Sequence, residues 1–200
     1  MRGIEQIPVL YDAMMAVAEA SGFRSWRRRL VQGAHGKVLD IGCGTGRNLP
    51  LYSDDSRIIG CDVRVELLRA ARRRAPAMPL VLASAEALPF AEGTFDTVVS
   101  GLVFCSVPNP LRGLEEVSRV LAPHGALRML EHVRSTRPWF ARWQDLIQPA
   151  WTFVSGGCYP NRNTEDTVRR AGFRIERDGY HIRRNVRLFS ARHCTRNGFP

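Results

Sequence analysis

Three glycines at alternate positions follow a short apolar run in the segment VLDIGCGTGRN, residues 38 to 48. The run carries one acidic residue, Asp40, and the glycines are Gly42, Gly44 and Gly46. A glycine loop between a strand and a helix places backbone N–H groups against a ligand, and the missing side chains allow that ligand to come close. The segment therefore predicts a cofactor-binding loop, and the spacing of its glycines limits the choice of cofactor.

Two nucleotide-binding patterns do not match this spacing. A dinucleotide fingerprint requires G-x-G-x-x-G, but here the third glycine falls one residue early. A Walker loop requires a lysine after its last glycine, and Arg47 stands there instead. LDIGCGTG instead resembles motif I of the class I S-adenosylmethionine-dependent methyltransferases. The alternative is a tight strand-to-helix turn in another kind of α/β protein.

The resemblance extends to the ends of the next two strands, where an open parallel sheet binds its ligand. Asp62 ends the segment RIIGCD, at the position where the family keeps an acid that accepts both ribose hydroxyls; an N-cap for the next helix is the alternative. ASAEALPF resembles the family's G-D-A-E-A-L-P-F segment, whose Asp contacts the adenine amino group. Ser84 replaces that Asp, so the resemblance assigns the contact to its hydroxyl or to the backbone of Ala85 and Glu86.

The cofactor implied by this resemblance is S-adenosylmethionine, with S-adenosylhomocysteine as the product. Its methionine portion would lie against Asp40 and the glycine loop, and the N-terminal Tyr11 and Asp12 would belong to a lid or to plain helix packing. The implied cofactor-binding residues are Tyr11, Asp40, Gly42, Cys43, Gly44, Gly46, Asp62, Val63, Ser84, Ala85, Glu86 and Ser100.

Three further segments resemble the thiol S-methyltransferase branch of this superfamily: LVFCSVPNP, EHVR and WQDLIQPAWTFVSGGCYPNRNT. The resemblance implies a small, fairly apolar acceptor, with a thiol as the first choice. Quinone and phospholipid methyltransferases share motif I, the A-L-P-F segment and the R-V-L-x-P turn, so a membrane-surface enzyme stays an alternative, as does a non-catalytic cofactor-binding protein. No N-P-P-Y follows the fourth strand, which disfavours methylation of a nucleic-acid base.

The acceptor site is predicted from strand ends and from the Trp-rich insertion. His132 would orient the acceptor or take its proton, or it is simply hydrogen-bonded beside the core. Trp139, Trp143 and Trp151 would wall an apolar pocket or pack the insertion. Methyl transfer needs no covalent intermediate, so Cys105 and Cys158 are interpreted as buried inert thiols. The remaining candidates for this pocket are Leu102, Cys105, Glu131 and Trp151.

Short β-rich runs alternate with helical stretches after residue 36, which is typical of a parallel sheet with helices on both faces. We therefore predict an α/β, Rossmann-like methyltransferase fold with a mostly parallel, seven-stranded sheet. The predicted helices are one or two within residues 9 to 31, Val65–Ala75, Leu111–Leu121, a Trp-rich stretch broken at Pro149, and one that starts near Asn163 or Thr164 and stops at Gly172. The predicted strands are Val38–Ile41, Arg57–Cys61, Leu80–Ala83, Thr97–Ser100, Ala126–Leu130, Arg174–Asp178 and Val186–Arg192.

The 200 residues predict one domain. We divide it into an N-terminal helical lid (1–35), a cofactor-binding core (36–133), and an acceptor-side insertion with the closing strands (134–200). The five cysteines contain no C-x-x-C pair, so we expect reduced thiols and no metal site.

The N-terminus lacks an apolar signal region and no run approaches the roughly 20 apolar residues of a membrane span, so we expect a cytoplasmic protein. The net charge of +10 favours anionic partners. Basic residues Arg24 to Arg29 around Trp26 would suit weak contact with an anionic membrane. The arginines scatter along the chain, so we expect no nucleic-acid partner. The oligomeric state stays open.

Overall fold

A mixed eight-stranded sheet forms the centre of the computed structural model, which describes residues 3, 7–53 and 57–194. The sheet has the order β3-β2-β1-β4-β5-β8-β6, and the first five strands of this path are parallel. β8 runs antiparallel to β5, and both β6 and the short β7 pair antiparallel with β8. The strands are β1 Lys37–Ile41, β2 Arg57–Asp62, β3 Leu80–Leu82, β4 Phe95–Gly101, β5 Leu121–His132, β6 Phe173–Ile175, β7 His181–Arg183 and β8 Val186–His193.

Six α-helices accompany this sheet in the described part of the chain. They are α1 Pro8–Ala18, α2 Arg24–Gln32, α3 Val65–Arg74, α4 Pro110–Val120, α5 Pro138–Ser155 and α6 Thr164–Arg170. A π-helical turn, Glu19–Phe23, connects α1 to α2. The mostly parallel α/β fold is confirmed, and β7 is a short strand that the sequence pattern did not predict.

Apolar residues alternate between the two faces of the central strands, so both faces need a cover. On one face, Leu39 packs in a cluster with Leu114 and Val117 of α4. On the other face, Val38 packs with the fully buried Leu30 of α2. The N-terminal segment is therefore more than a lid, because α2 completes the core.

The glycine loop leads into a single 3-10 turn, Leu49–Leu51. One local prediction differs from the structure. α5 continues through Pro149, although a break was predicted there. Proline removes one helix hydrogen bond, but Gln144 fastens the helix to the core by donating to the carbonyls of Val133 (3.2 Å) and Pro160 (2.9 Å). α5 ends at Gly156 in the left-handed conformation (φ 90°).

Within the described ranges, no helix combines the length and the hydropathy needed to cross a bilayer.

Candidate functional site

A cleft of about 600 Å³ opens at the carboxyl edge of the parallel strands. Its walls come from the glycine loop, the ends of β2, β3 and β4, helix α1, and the loop that follows α5. The lining residues are Tyr11, Gly42, Gly44, Asp62, Val63, Arg64, Leu67, Ala83, Ser84, Ala85, Glu86, Gly101, Leu102, Val103, Ser106, Val107, Pro108, Gly156, Gly157 and Tyr159. The cleft therefore lies at the carboxyl ends of the parallel strands, where an open sheet of this kind binds its ligand.

The glycine loop forms one wall of this cleft through its backbone. Gly42 and Gly44 have φ angles of 62° and 56°, in the left-handed region that side chains disfavour. A Cβ atom on Gly42 would lie 2.5 Å from a methyl group of Val103, so a larger residue would also displace the opposite wall. Gly46 turns away from the cleft and packs against Ala71 of α3.

Asp62 projects from the end of β2 at the centre of the cleft. Its Oδ2 accepts a hydrogen bond from the N–H of Gly44 and its Oδ1 accepts one from the N–H of Arg64, both at 2.9 Å. Burial raises its pKa above the ordinary value, and these two donors oppose that rise. The backbone N–H of Val63 also interacts with this carboxylate, and the acceptor capacity that remains on its oxygens is available to a ligand hydroxyl. Asp62 is not the N-cap of α3, because Arg64 holds that position.

The end of β3 and the following turn line the cleft beside Asp62. Val63 is 65% exposed there, so an apolar surface faces the cleft next to a carboxylate. The hydroxyl of Ser84 accepts a hydrogen bond from the N–H of Glu86 (3.2 Å), which holds the turn in shape. The Glu86 carboxylate accepts a hydrogen bond from the N–H of Asn109, which connects this wall to the start of α4.

Four of the predicted cofactor residues lie outside the lining of the cleft: Asp40, Cys43, Gly46 and Ser100. Asp40 is fully buried behind the glycine loop, where it accepts hydrogen bonds from the hydroxyl of Tyr52 (2.9 Å) and the amide of Asn48 (3.5 Å). Burial raises its pKa to about 6. Asp40 therefore fastens the chain after the loop to β1, which favours a supporting role over the predicted contact with the cofactor.

Ser100 and Glu131 form a buried clasp under the loop that follows β4. One oxygen of the Glu131 carboxylate accepts hydrogen bonds from the hydroxyl of Ser100 (2.9 Å) and from the N–H groups of Val103 (2.9 Å) and Phe104 (3.0 Å). The other oxygen accepts one from the N–H of Cys105 (3.3 Å). Neither side chain lines the cleft, because both are engaged in the hydrogen bonds that hold the loop after β4. The assignment of Glu131 to the acceptor pocket is therefore replaced by a role in shaping one of its walls.

Cys105, His132 and Cys158 converge directly behind the wall of the cleft, although they are far apart in the sequence. The two sulfur atoms and an imidazole nitrogen all lie within 4.8 Å of one another. Hydrogen bonds with Cys105, and further ones with His132 and Trp151, lower the pKa of Cys158 to about 5 although burial raises it. The lining of the cleft includes none of these side chains, that is, neither the three of the cluster nor Trp151. Both thiols are buried, as the sequence interpretation requires, and their close approach to each other and to His132 is what that interpretation did not include.

The other predicted acceptor residue, Leu102, does line the cleft, with a φ of 63° that is unusual for a branched side chain. Trp139 and Trp143 point outward instead, and they are 66% and 50% exposed. They neither wall the cleft nor pack in the core. Sequence reasoning missed Gly157 and Tyr159, which line the cleft from the loop after α5; the G-G-C-Y-P string that contains them was the available signal.

Helix α1 is fastened over the glycine loop by a network of ion pairs. Arg47, which directly follows the loop, donates to Glu19 (2.6 and 2.8 Å) and to Asp12 (3.0 Å). Arg74 of α3 donates to the other oxygen of Asp12 at 2.8 Å. The hydrogen bonds from Arg47 hold the pKa of Glu19 below its ordinary value. Tyr11 of the same helix lines the cleft, and the role of this segment as a lid stays a prediction.

A parallel sheet with a glycine loop after β1, an acidic residue at the end of β2 and a cleft across the strand ends defines an enzyme that binds an adenosine-type cofactor. Residues 39–129 match the family model described as a methyltransferase domain. A methyltransferase from Thermotoga maritima, described as a possible histamine N-methyltransferase, has the same fold with a TM-score of 0.71 at 19% identity. That match covers 94% of this chain and 97% of the other.

Curated relatives match the sequence more closely. The chain is 34% identical over 175 residues to the human thiol S-methyltransferase TMT1A, which covers 82% of this chain and 71% of the relative. It is 36% identical over 142 residues to a demethylmenaquinone methyltransferase of Symbiobacterium thermophilum, which covers 64% of this chain and 56% of the relative. The chain belongs to the class I S-adenosylmethionine-dependent methyltransferases. It is an enzyme of that family, and S-adenosylmethionine is its cofactor.

Proposed function

We propose that this protein transfers the methyl group of S-adenosylmethionine to the thiol of a small, fairly apolar acceptor. The main support is the similarity to the thiol S-methyltransferase TMT1A, which extends over 175 residues and so reaches beyond the matched methyltransferase domain. Apolar lining by Leu102, Val103, Val107 and Pro108 suits such an acceptor. A thiol has an ordinary pKa near 8.5, so it is partly ionised at neutral pH and needs no strong base in the cleft.

The cofactor supplies a methyl group that is electrophilic because it is bonded to a sulfonium. We assign its ribose to Asp62, whose carboxylate keeps acceptor capacity for a ligand hydroxyl beside its bonds to backbone N–H groups. We assign the adenine to the apolar surface of Val63 and to the turn formed by Ser84, Ala85 and Glu86. The methionine portion then falls to the backbone of Gly42 and Gly44, which bear no side chain that would obstruct it.

On the acceptor side, this chain mainly has to position an electron-rich atom and exclude water. Leu102, Val103 and Gly157 line the cleft, and the Glu131 clasp holds the backbone of Val103. Helix α1 closes the cleft from above through Tyr11. A proton-accepting role for His132 stays a prediction, and the structure gives it a partner, Cys158.

The proposal is tested by measuring S-adenosylhomocysteine formed from S-adenosylmethionine with a panel of alkyl and aryl thiols. Phenols and amines of matched size serve as controls, and Asp62→Ala serves as a variant with an impaired cofactor site. We expect turnover with thiols that exceeds turnover with every matched phenol or amine. Cofactor binding without turnover of any thiol, or a preference for the oxygen and nitrogen acceptors, contradicts the proposal.

A second candidate is methylation of a quinol at a membrane surface. Relatives named demethylmenaquinone methyltransferases favour it, and α5 exposes Trp139, Leu146 and Phe153 at 66%, 79% and 66%. Under this alternative, a quinol in anionic vesicles is the preferred acceptor and the protein co-sediments with those vesicles at low salt. Under the thiol proposal the cytoplasm remains the expected location, and turnover is independent of vesicles.

A further inference from the structure

We propose that Cys105, His132 and Cys158 bind one zinc ion. The three side chains come from three separate elements: the loop after β4, the end of β5 and the loop after α5. Their ligand atoms converge within 4.8 Å of one another, in the part of the chain that the structure describes. Two thiolates and an imidazole form a donor set that selects soft and borderline metals such as zinc over magnesium or calcium.

The distances between the ligand atoms suit such an ion. In a tetrahedral site, Zn–S bonds of about 2.3 Å and Zn–N bonds of about 2.0 Å place neighbouring ligand atoms about 3.5 to 3.8 Å apart. The three atoms therefore need to move inward by no more than roughly 1 Å, which rotation of the side chains can supply. Two thiolates balance the charge of Zn²⁺, so the bound site is electrically neutral although it is largely buried.

The backbone around the two cysteines is already held in place. The carbonyl of Cys105 accepts a hydrogen bond from the N–H of Tyr159 (2.8 Å), which connects the two cysteine loops directly. Cys158 donates its N–H to the hydroxyl of Ser155 (3.1 Å), and its carbonyl accepts from the hydroxyl of Thr152 (2.9 Å). Secondary interactions of this kind are what keep metal ligands oriented. The site is thus organised before any metal arrives.

The cluster supplies three side chains, one fewer than the four ligands of a tetrahedral zinc. Three protein ligands leave the fourth position of a tetrahedral zinc to water or to a small ligand, as in catalytic zinc sites. Ser106 follows Cys105 in the sequence and Gly157 precedes Cys158, and both of these neighbours line the cleft. The sulfur of Cys105 lies 3.7 Å from the hydroxyl of Ser106. An ion bound here would therefore lie directly behind the acceptor end of the cleft, and its binding does not depend on which acceptor is methylated.

The test uses the full chain, reduced and metal-free, with Zn²⁺ and Co²⁺ as probes. We expect one Zn²⁺ per chain to remain bound through gel filtration, and Co²⁺ to produce a thiolate-to-metal charge-transfer band. Cys105→Ser and Cys158→Ser should each weaken or abolish that band, whereas His132→Asn keeps both thiolates and should lower the affinity for Co²⁺. Each should also weaken Zn²⁺ binding by more than the roughly 10- to 100-fold typical of outer-shell changes.

Two controls keep the result interpretable. Cys194→Ser removes the exposed cysteine outside the cluster and should leave Zn²⁺ binding unchanged. Binding of S-adenosylhomocysteine, measured by calorimetry, reports the fold of each variant independently of the metal. His132 is only partly buried, so His132→Asn provides a folded variant if a buried serine does not fold.

The proposal is overturned if the reduced, folded wild type retains no Zn²⁺. It is also overturned if the variants of the cluster bind Zn²⁺ as the wild type does, or if Cys194→Ser alone removes it. A protein that binds Zn²⁺ but methylates no thiol refutes only the proposed function, so the two failures are distinguishable.

Discussion

Replacement of Asp62 by alanine should weaken the binding of S-adenosylhomocysteine about 10- to 100-fold. The carboxylate keeps acceptor capacity beside its bonds to the backbone N–H groups of Gly44, Val63 and Arg64, so it can accept charge-assisted hydrogen bonds from the ribose. Their combined loss is moderated by water that enters the truncated site, and a net cost of about 1.4 to 2.7 kcal/mol corresponds to that range of affinity. Asp62→Asn keeps the volume and one acceptor oxygen, so it should fall between the wild type and Asp62→Ala.

The assay is isothermal titration of each variant with S-adenosylhomocysteine at pH 7.5, beside thermal unfolding. Asp96→Ala is the matched control. The Asp96 carboxylate also accepts a hydrogen bond from a backbone N–H, that of Lys37 at 2.8 Å, but it lies where β1 and β4 begin, at the edge of the sheet opposite to the cleft. Its affinity should equal that of the wild type. If Asp62→Ala folds and binds with unchanged affinity, or if Asp96→Ala loses as much, the assignment of the ribose to Asp62 is refuted.

Three further predictions concern the residues that support the cleft. Asp12→Ala removes the ion pairs with which α1 is held closed, so S-adenosylhomocysteine should dissociate about 3- to 10-fold faster in stopped-flow measurements; an unchanged rate means that α1 does not gate the cleft. The pKa of Asp40 is raised to about 6 in the folded protein, so the folded protein keeps a proton that the unfolded chain releases at lower pH. The stability that this protonation contributes is lost as pH rises. Between pH 5 and 7.5 the wild type should lose about 1.4 kcal/mol of unfolding free energy relative to Asp40→Asn, and parallel pH profiles of urea unfolding would contradict this. Glu131→Ala leaves three N–H groups and a hydroxyl without their acceptor, so it should destabilise the protein by roughly 3 kcal/mol or more in urea unfolding. Glu131→Gln should cost less, and equal costs would argue against the clasp.

Local patterns in the sequence were sufficient for the fold and for the cofactor side of the cleft. Strand periodicity and the glycine spacing are local properties, and in a parallel sheet the residue at the carboxyl end of a strand is brought to the ligand-binding edge by topology alone. Gly42, Gly44, Asp62 and Ser84 therefore lie where their positions in the sequence predicted.

The direction of buried polar side chains was not predictable in this way. Asp40 and Glu131 stand near strand ends, as ligand-binding residues do, but both point into the protein. The direction of a buried carboxylate depends on which hydrogen-bond donors the rest of the fold brings near it. For Asp40 these donors are Tyr52 and Asn48, and for Glu131 they lie in the loop after β4. A strand pattern indicates the face of the sheet but does not identify these partners.

The sequence by itself determined the family, the cofactor and the edge of the sheet where the chemistry occurs, because each of these depends on a short segment with its own geometry. Only the tertiary structure decided that Cys105, His132 and Cys158 lie together. No spacing along the chain indicates a site whose ligands come from the ends of three different elements. Their proximity results from contacts that are distant in the sequence: Gln144 of α5 donates to the carbonyl of Val133 next to the end of β5, and the N–H of Tyr159 donates to the carbonyl of Cys105.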